Sequence, residues 1–477
     1  MSKRILVCGN SYSQLPAIEA AKRKGHEVIC VSPDKRYSYM IDHYEPCDIK
    51  DHKKVLKIAQ KYNIDGIIVP GTDFPFTGAY VSEKMGFPTI SKEVADVCTN
   101  KHLMRKKLKE AGFLVPKFCK LHEGDAPSIE YPVLVKPVDC MGARGSSLCK
   151  NEEELKAAYK IAKEFSRSGE VIAEEFIEGM EFSIDSIVYN DKVQIFGFGD
   201  RNFFMLPYFI EYGHVVPSAL DAETIHEINQ VFANAVRALG INFGAAKGDV
   251  KLTNRGVFIV EIAARISGGF LSGWTTPWAN GMIPTDYLID IHAGDVPTWI
   301  PRKEIGFSVE RALMSIPGKL AKIEKFEEYN EDVSYCVNKE LDDNSSGVKL
   351  LQLHKTAEGS ILKFPSNNAF RVGSVLSFSK TSRERAIYHA QKGTQKTIFR
   401  LQSNQPETDR WIWSDDNFAM FEPAKTESDW HGCGLAEALQ IVKDLTNIKF
   451  TQMNRLFWKY FYKGGIQGAV YYCDSYL

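Results

Sequence analysis

The sequence predicts a multidomain chain of α/β and α+β parts. These are an N-terminal doubly wound parallel sheet, a central domain built on an acid-bearing hairpin, a closing domain and an aromatic-rich tail. Three observations carry this. Short apolar strands alternate with helical stretches over residues 1–97, the pattern of a parallel sheet whose ligand edge lies at the carboxyl ends of its strands. Two stretches of roughly alternating polarity flank Thr253-Asn254-Arg255-Gly256 and carry Asp249 and Glu261. A chain of 477 residues exceeds one ordinary domain, and about three are expected.

Arg4 to Cys8 reads as a strand, Leu15 to Lys24 as a helix ending near Gly25, and Glu27 to Ser32 as a second strand closed by Pro33-Asp34. Ile64 to Pro70 is a further strand, followed by Gly71-Thr72-Asp73. The first turn, Gly9-Asn10-Ser11-Tyr12-Ser13, lacks the GxGxxG spacing, which argues against dinucleotide binding. A net charge of −1 gives no bias toward nucleic acid or membranes. No apolar run approaches the ~20 residues of a membrane span. Ten cysteines without CxxC spacing indicate neither zinc nor a disulfide framework. A cytoplasmic protein is the expectation.

A loop Asn254-Arg255-Gly256, with the glycine left-handed, pairs Thr253 with Val257 and sets Asp249 opposite Glu261, about 5 Å apart at Cβ. Opposed like charges destabilise a sheet unless a cation bridges them or one is protonated. Oxygen-only ligation suits Mg²⁺ or Mn²⁺ rather than zinc. A solvated strand face carrying two acids is the plain alternative. Lys247 shares that face, compatible with reaching a transferred phosphate or with a simple ion pair.

The surroundings favour the metal. Ile262 to Ser267 brings Arg265 and then the flexible pair Gly268-Gly269 directly after Glu261. Upstream, the apolar strand Tyr131 to Pro137 carries one lysine, Lys136, where an unpaired ammonium is costly to bury; a phosphate partner is expected. A small-residue loop to Ser147 follows, then Val171 to Ser183 with acids around an apolar strand.

Lysine, loop, acidic strand and paired carboxylates in this order resemble the ATP-grasp superfamily over about residues 98–300. The resemblance implies a preATP-grasp domain at 1–97, an ATP-grasp domain at 98–300 with a mobile lid at about 132–180, a closing domain at 301–400 and a tail at 401–477. It implies ATP and Mg²⁺ (or Mn²⁺) as cofactors. Lys101 and Lys136 resemble the two ATP lysines. Gly142, Gly145, Ser146 and Ser147 belong to the loop over the β- and γ-phosphates. Glu174, Glu175 and Ile177 resemble the segment that reads adenine, and Glu181 the acid on the ribose. Asp249 and Glu261 match the metal carboxylates, and Arg265 the phosphate-binding arginine. Ala263 stands where the family often has asparagine, one ligand fewer, so the number of metals stays open. Thr72 and Asp73 lie where such domains contact the second substrate, although Asp73 as a helix cap is an equal reading.

Phe209 to Ser218 contains Glu211-Tyr212-Gly213-His214-Val215-Val216-Pro217-Ser218. It resembles the segment of the L-amino-acid ligase-like branch in which the acid and histidine line the substrate site. Glu211, His214, Gly268 and Gly269 are therefore expected at the substrate, with Arg265, Lys247 and His214 as catalytic candidates. The resemblance implies a carboxylate–amine ligase that works through an acyl phosphate and takes small-molecule carboxylate and amine substrates. A biotin-carboxylase-like or glycinamide-ribonucleotide-synthetase-like enzyme, or a non-catalytic ATP-binding module, is the alternative. Phe203-Phe204-Met205-Leu206 with Trp274 and Trp278 is either a substrate pocket or plain core. Val309 to Leu313 and Phe370 to Leu376 resemble the closing domain, with a helix through Glu384 to Thr397. Gln402 to Thr408 reads as a linker. The tail, with Trp411, Trp413, Trp430, Trp458 and many tyrosines, offers helices at Gly434 to Asn447 and Asn454 to Tyr462. Its aromatics are expected to pack on the main body or on a second subunit, and a homodimer is the expectation.

Overall fold

Ile5, Leu6, Val7 and Cys8 have no exposed surface, as a strand covered on both faces requires. The computed structural model describes residues 2–36, 38–204, 209–300, 303–325, 346–354, 357–364, 366–414 and 433–477. The side chains of Phe204, Met205 and Leu206, and Trp430, lie outside the described residues. Contacts divide the described chain into two units, residues 2–201 with 214–307, and residues 202–213 with those from 308 onward.

The first unit opens with β1 (Arg4–Cys8), α1 (Leu15–Arg23), β2 (Glu27–Ser32), β3 (His43–Pro46), α2 (His52–Tyr62), β4 (Gly66–Ile68) and α3 (Pro75–Met85). The strands form a parallel sheet in the order β3-β2-β1-β4. The edge strand β3 has no clear apolar alternation, and the sequence did not announce it.

Next come α4 (Lys92–Val97), α5 (Lys101–Glu110), β5 (Phe118–Leu121), β6 (Val133–Pro137), β7 (Ser147–Cys149), α6 (Glu152–Phe165) and β8 (Val171–Glu175). β5, β8, β6 and β7 make a four-stranded antiparallel sheet in that order. Leu155, Ala158 and Ala162 of α6 pack into one core with Val133, Val135 and Ala173 of the sheet.

Then follow β9 (Met180–Tyr189), β10 (Lys192–Phe204), β11 (Ile210–Val216), α7 (Ala222–Leu239), β12 (Phe243–Thr253), β13 (Gly256–Ala263), α8 (Thr276–Asn280) and α9 (Pro284–His292). In this unit β13, β12, β9 and β10 run antiparallel in that order. Phe232 of α7 and Met104 and Leu108 of α5 share a core with Phe182, Ile184, Ile259 and Ile262. Gly248 makes that packing possible, because a Cβ there would fall 2.4 Å from Phe232 Cε2.

The second unit contains β14 (Phe307–Leu313), β15 (Gly318–Lys325), β16 (Gly347–Leu353), β17 (Ile361–Leu362), β18 (Gly373–Ser379), α10 (Arg383–Gln395), β19 (Thr397–Leu401), α11 (Pro406–Ile412), α12 (Leu435–Thr446) and α13 (Arg455–Tyr476). β14, β18 and β16 are neighbours in one sheet; β17, β15 and β19 form another. The tail is no separate piece. Phe457, Tyr460, Phe461 and Val470 share one core with Leu320, Phe399 and Leu401. The expected linker is short, since Pro406 already starts α11. The second tail helix runs on past Tyr462 to Tyr476 with a break at Gly465 (φ +60°). Among the described residues, no helix is long and apolar enough to cross a membrane.

Candidate active site

Asp249 pairs with Glu261 in the β12–β13 ladder, by a route the sequence did not suggest. Thr253 pairs with Gly256, so the connection is the two residues Asn254-Arg255 rather than three. The register then shifts between Val250↔Ile259 and Asp249↔Glu261, leaving Val260 as an extra, bulged residue. The short turn and the bulge offset each other by one residue.

The two carboxylates are ringed by cations. Lys247 Nζ lies 2.5 Å and Arg201 Nη1 2.9 Å from Asp249 Oδ1. Lys101 Nζ lies 3.7 Å from Glu261 Oε2 and donates a 2.6 Å hydrogen bond to Cys140 O. Burial alone would raise the Glu261 carboxyl, but Lys101, Lys247, Lys136 and Arg265 together hold it well below the usual carboxylate range. Glu261 is therefore an anion at any physiological pH. The region fits a divalent ion beside polyphosphate: two carboxylates face each other, and Mg²⁺ commonly takes one or two carboxylates and fills its shell with phosphate oxygens and water. Asp249 Oδ1 is held by Lys247 and Arg201, so an ion at this oxygen would share it with those cations. Among the described residues no group of three or more histidines, cysteines or acids is placed to hold a metal ion.

Lys101 owes its position to Asn100, whose side chain accepts from the His102 and Leu103 amides and starts α5 there. Lys101, Met104, Arg105 and Leu108 are all buried, the i, i+3, i+4, i+7 face of a helix. Although Lys101-His102-Leu103-Met104-Arg105-Lys106-Lys107 is a basic run, one face of it is therefore buried. That spacing was the available signal for Arg105, which the sequence reading missed.

Lys136 needs a different explanation from the one expected. Its Nζ lies 2.5 Å from Glu174 Oε2, and Arg105 Nε lies 3.0 Å from Glu174 Oε1. Burial lowers the Lys136 ammonium while Glu174 opposes that shift. Burial likewise pushes the Glu174 carboxyl up, but Arg105 and Lys136 outweigh it and hold it down. The expectation that a phosphate partners Lys136 needs amending, because Glu174 already pairs with it. So is the expectation that Glu174 reads a base with its side chain, which points into this buried triad.

Glu175 accepts from the Lys117 amide and pairs with Arg255 at 2.8 Å. The Ile177 carbonyl accepts from Lys251 Nζ at 2.9 Å, and Lys251 also lies 3.5 Å from Glu181. Glu181 pairs with Arg201 at 2.6 Å, so Arg201 bridges Glu181 and Asp249. Nothing in the chain's motifs had singled out Arg201. It stands on β10, where Arg201↔Glu181 is a cross-strand pair.

Cys140 and Met141, which lead into the small-residue loop, line one cavity with Glu261. Gly142, Ala143 and Gly145 have φ of +69°, +58° and +73°, a left-handed path that glycine tolerates best. Ser146 donates its amide to Ala143 O, whereas Ser147 is no longer loop but the first residue of β7, paired with Val135. Arg144 Nη2 donates to Asp73 Oδ2 at 3.1 Å, and Arg265 Nη2 lies 3.9 Å from Met141 Sδ. Asp73 is thus an ion-pair partner, not a helix cap. A cavity lined by Thr72, Asp73, Lys101, Cys140, Met141, Arg167, Glu261 and Arg265 joins these groups.

Gly268 and Gly269 pack near Gly71 and Ser13, and the Gly269 amide donates to Ser13 Oγ at 3.3 Å. His214 is buried, its Nε2 2.6 Å from Thr275 Oγ1. Glu211 belongs to the second unit, where its backbone N–H donates to Asn368 Oδ1 and its carbonyl accepts from Arg371. Trp274 is core, edge-on to Phe270.

Residues 129–273 match the model of the ATP-grasp domain. Over these residues the chain carries an ATP-grasp domain. Alanine–anticapsin ligase of Bacillus subtilis is 26% identical over 263 residues, 50% of this chain and 55% of that protein. The carbamoyl phosphate synthase large chain of Pseudothermotoga lettingae is 26% identical over 281 residues, 54% of this chain and 24% of that one. The chain thus matches about half the length, or less, of these curated relatives. The ATP-grasp fold is shared with L-amino acid ligase of Bacillus licheniformis (TM-score 0.72, 19% identity, 84% of this chain, 99% of that one). It is shared too with phosphoribosylglycinamide synthetase of Anaerococcus prevotii (TM-score 0.65, 21% identity, 84% of this chain, 100% of that one).

Proposed function

We propose that this ATP-grasp protein is an ATP-dependent ligase that joins a small-molecule carboxylate to an amine through an acyl phosphate. The observation that carries this is the facing pair Asp249–Glu261 within reach of Lys101, Lys247 and Arg201. Those charges suit a triphosphate and a carboxylate acceptor. No covalent nucleophile is required; the described cysteines are free, and burial raises the Cys140 thiol.

A divalent ion held by Asp249 and Glu261 would offset phosphate charge when bound. A carboxylate oxygen of the substrate attacks the γ-phosphorus, the bond to the β–γ bridging oxygen breaks, and ADP leaves. The amine nitrogen then attacks the acyl carbon, inorganic phosphate leaves with the carbon–oxygen bond electrons, and the nitrogen loses a proton. Arg265 is the cation for the acyl phosphate and the tetrahedral oxyanion, and Lys247 the second cation at the transferred group. Lys101 anchors the nucleotide phosphates. The loop around Gly142 and Gly145 excludes water, without which the acyl phosphate would hydrolyse. Lys136 and Glu174 shape the nucleotide end as a buried pair, while Glu175, Ile177 and Glu181 border it.

The test is an ADP-release screen of paired amino acids and amines, with mass spectrometry of the product. ADP and phosphate that appear only when both cosubstrates are present support the ligase; AMP and pyrophosphate contradict it. Bicarbonate-dependent or phosphoribosylamine-dependent ADP release would assign it instead to the carboxylase-like or glycinamide-ribonucleotide-synthetase-like reactions. Nucleotide binding with no turnover on any pair would make it a binding module.

A further inference from the structure

Asp185 has no exposed surface and stands in the middle of β9, paired with Lys247 on one side and Gly197 on the other. Gly197 leaves the room it needs, since a Cβ there would sit 3.3 Å from Asp185 Cβ and 3.0 Å from Thr276 Oγ1. Its Oδ1 accepts the Ser267 amide at 2.8 Å, across 82 residues of chain. Its Oδ2 and the Ser267 hydroxyl are both buried, and the Ser267 side chain and amide together favour the carboxylate against its burial. Ser267 is gripped a second time, where its carbonyl accepts from Ser272 Oγ at 2.7 Å. A carboxylate buried in mid-strand is costly even with those bonds, and such conflicts gather where function demands them.

We propose that Asp185 is a positioning residue for the acceptor carboxylate: it fixes Ser267 and thereby the path from Arg265 to Gly268-Gly269. Three residues that the ligase reading places at the substrate, Arg265, Gly268 and Gly269, adjoin the one amide that Asp185 holds. The inference rests on that reading.

The test is steady-state ADP release with ATP–Mg²⁺ and the amino-acid pair that gives most ADP in the screen. Asp185→Ala should raise the KM of the carboxylate substrate at least about tenfold, a loss of about 1.4 kcal/mol of binding, and leave the KM of ATP within about twofold. Asp185→Asn, which keeps the acceptor for the Ser267 amide, should restore the carboxylate KM. If Asp185→Ala does not fold, Ser272→Ala must give the same selective rise. Equal rises for both substrates, an unchanged KM, or an asparagine variant as poor as alanine would overturn the proposal. If no pair releases ADP, the ligase reading fails by itself. Hydrogen exchange then decides the loop: the Ser267 amide should exchange faster in Asp185→Ala and at the parent rate in Asp185→Asn, and equal rates in all three would overturn it.

Discussion

Asp249 faces Glu261 because Val260 bulges out of β13, turning the Glu261 side chain onto the face that Asp249 and Lys247 share. Bulges re-aim single side chains in this way and recur beside active sites. With an ion bound between them, Asp249→Asn and Glu261→Gln should each lower ADP release by about a hundredfold or more, equivalent to about 2.7 kcal/mol of barrier. Extra Mg²⁺ should not restore it. Full turnover in either variant removes the metal assignment.

Glu174 neutralises Lys136 and Arg105 together, with both cations nearly sealed from water. Removing one member of a buried ionic set strands the others, at about 3–5 kcal/mol. Glu174→Gln should therefore lose about that much stability in urea titrations. A variant within about 1 kcal/mol of the parent would show that the triad contributes little.

Asp73 and Arg144 tie the glycine-bearing loop to the end of the first sheet's ligand edge. If the loop acts through this pair, Asp73→Asn and Arg144→Ala should each change the ATP KM. The double variant should then change it no further than the stronger single one. Strictly additive effects would show that the two residues act separately.

Burial pushes the Asp185 carboxyl up from its ordinary value of 3.8 to about 6. Between those values the native state holds more protons than the unfolded chain, so stability falls as pH rises through this window and stays lower above it. Asp185→Asn removes the penalty. It should be more stable than the parent above pH ~6, by up to about 3 kcal/mol, and the two should converge near pH ~4. Parallel stability curves from pH ~4 to ~8 would contradict the burial of this charge.

Much of this was legible in the sequence. The alternating strands of β1, β2 and β4, the helices α10 and α12, and the Asp249–Glu261 pairing each follow from periodicity and turn residues. The carboxylate pairing was reached despite a wrong turn, because an unforeseen bulge compensated for a loop one residue too long. Long-range ion pairs were not legible. Glu174 reads as a free acid until Arg105, 69 positions away, is folded against it. Arg201 and Asp185 lie in strands with no motif to single them out, and only the sheet register brings them to Asp249 and Lys247. In the sequence Ser147 reads as the end of the small-residue loop that resembles the phosphate-covering loop, but pairing with Val135 draws it into β7.

Binding of Mn²⁺ in the presence of ATP, followed by electron paramagnetic resonance, addresses the carboxylate pair without requiring knowledge of the substrate. The wild-type chain should bind Mn²⁺ tightly with ATP, and Asp249→Asn and Glu261→Gln should each weaken it by at least about tenfold, or about 1.4 kcal/mol. Mn²⁺ affinity unchanged in both variants would contradict a metal held between these two residues.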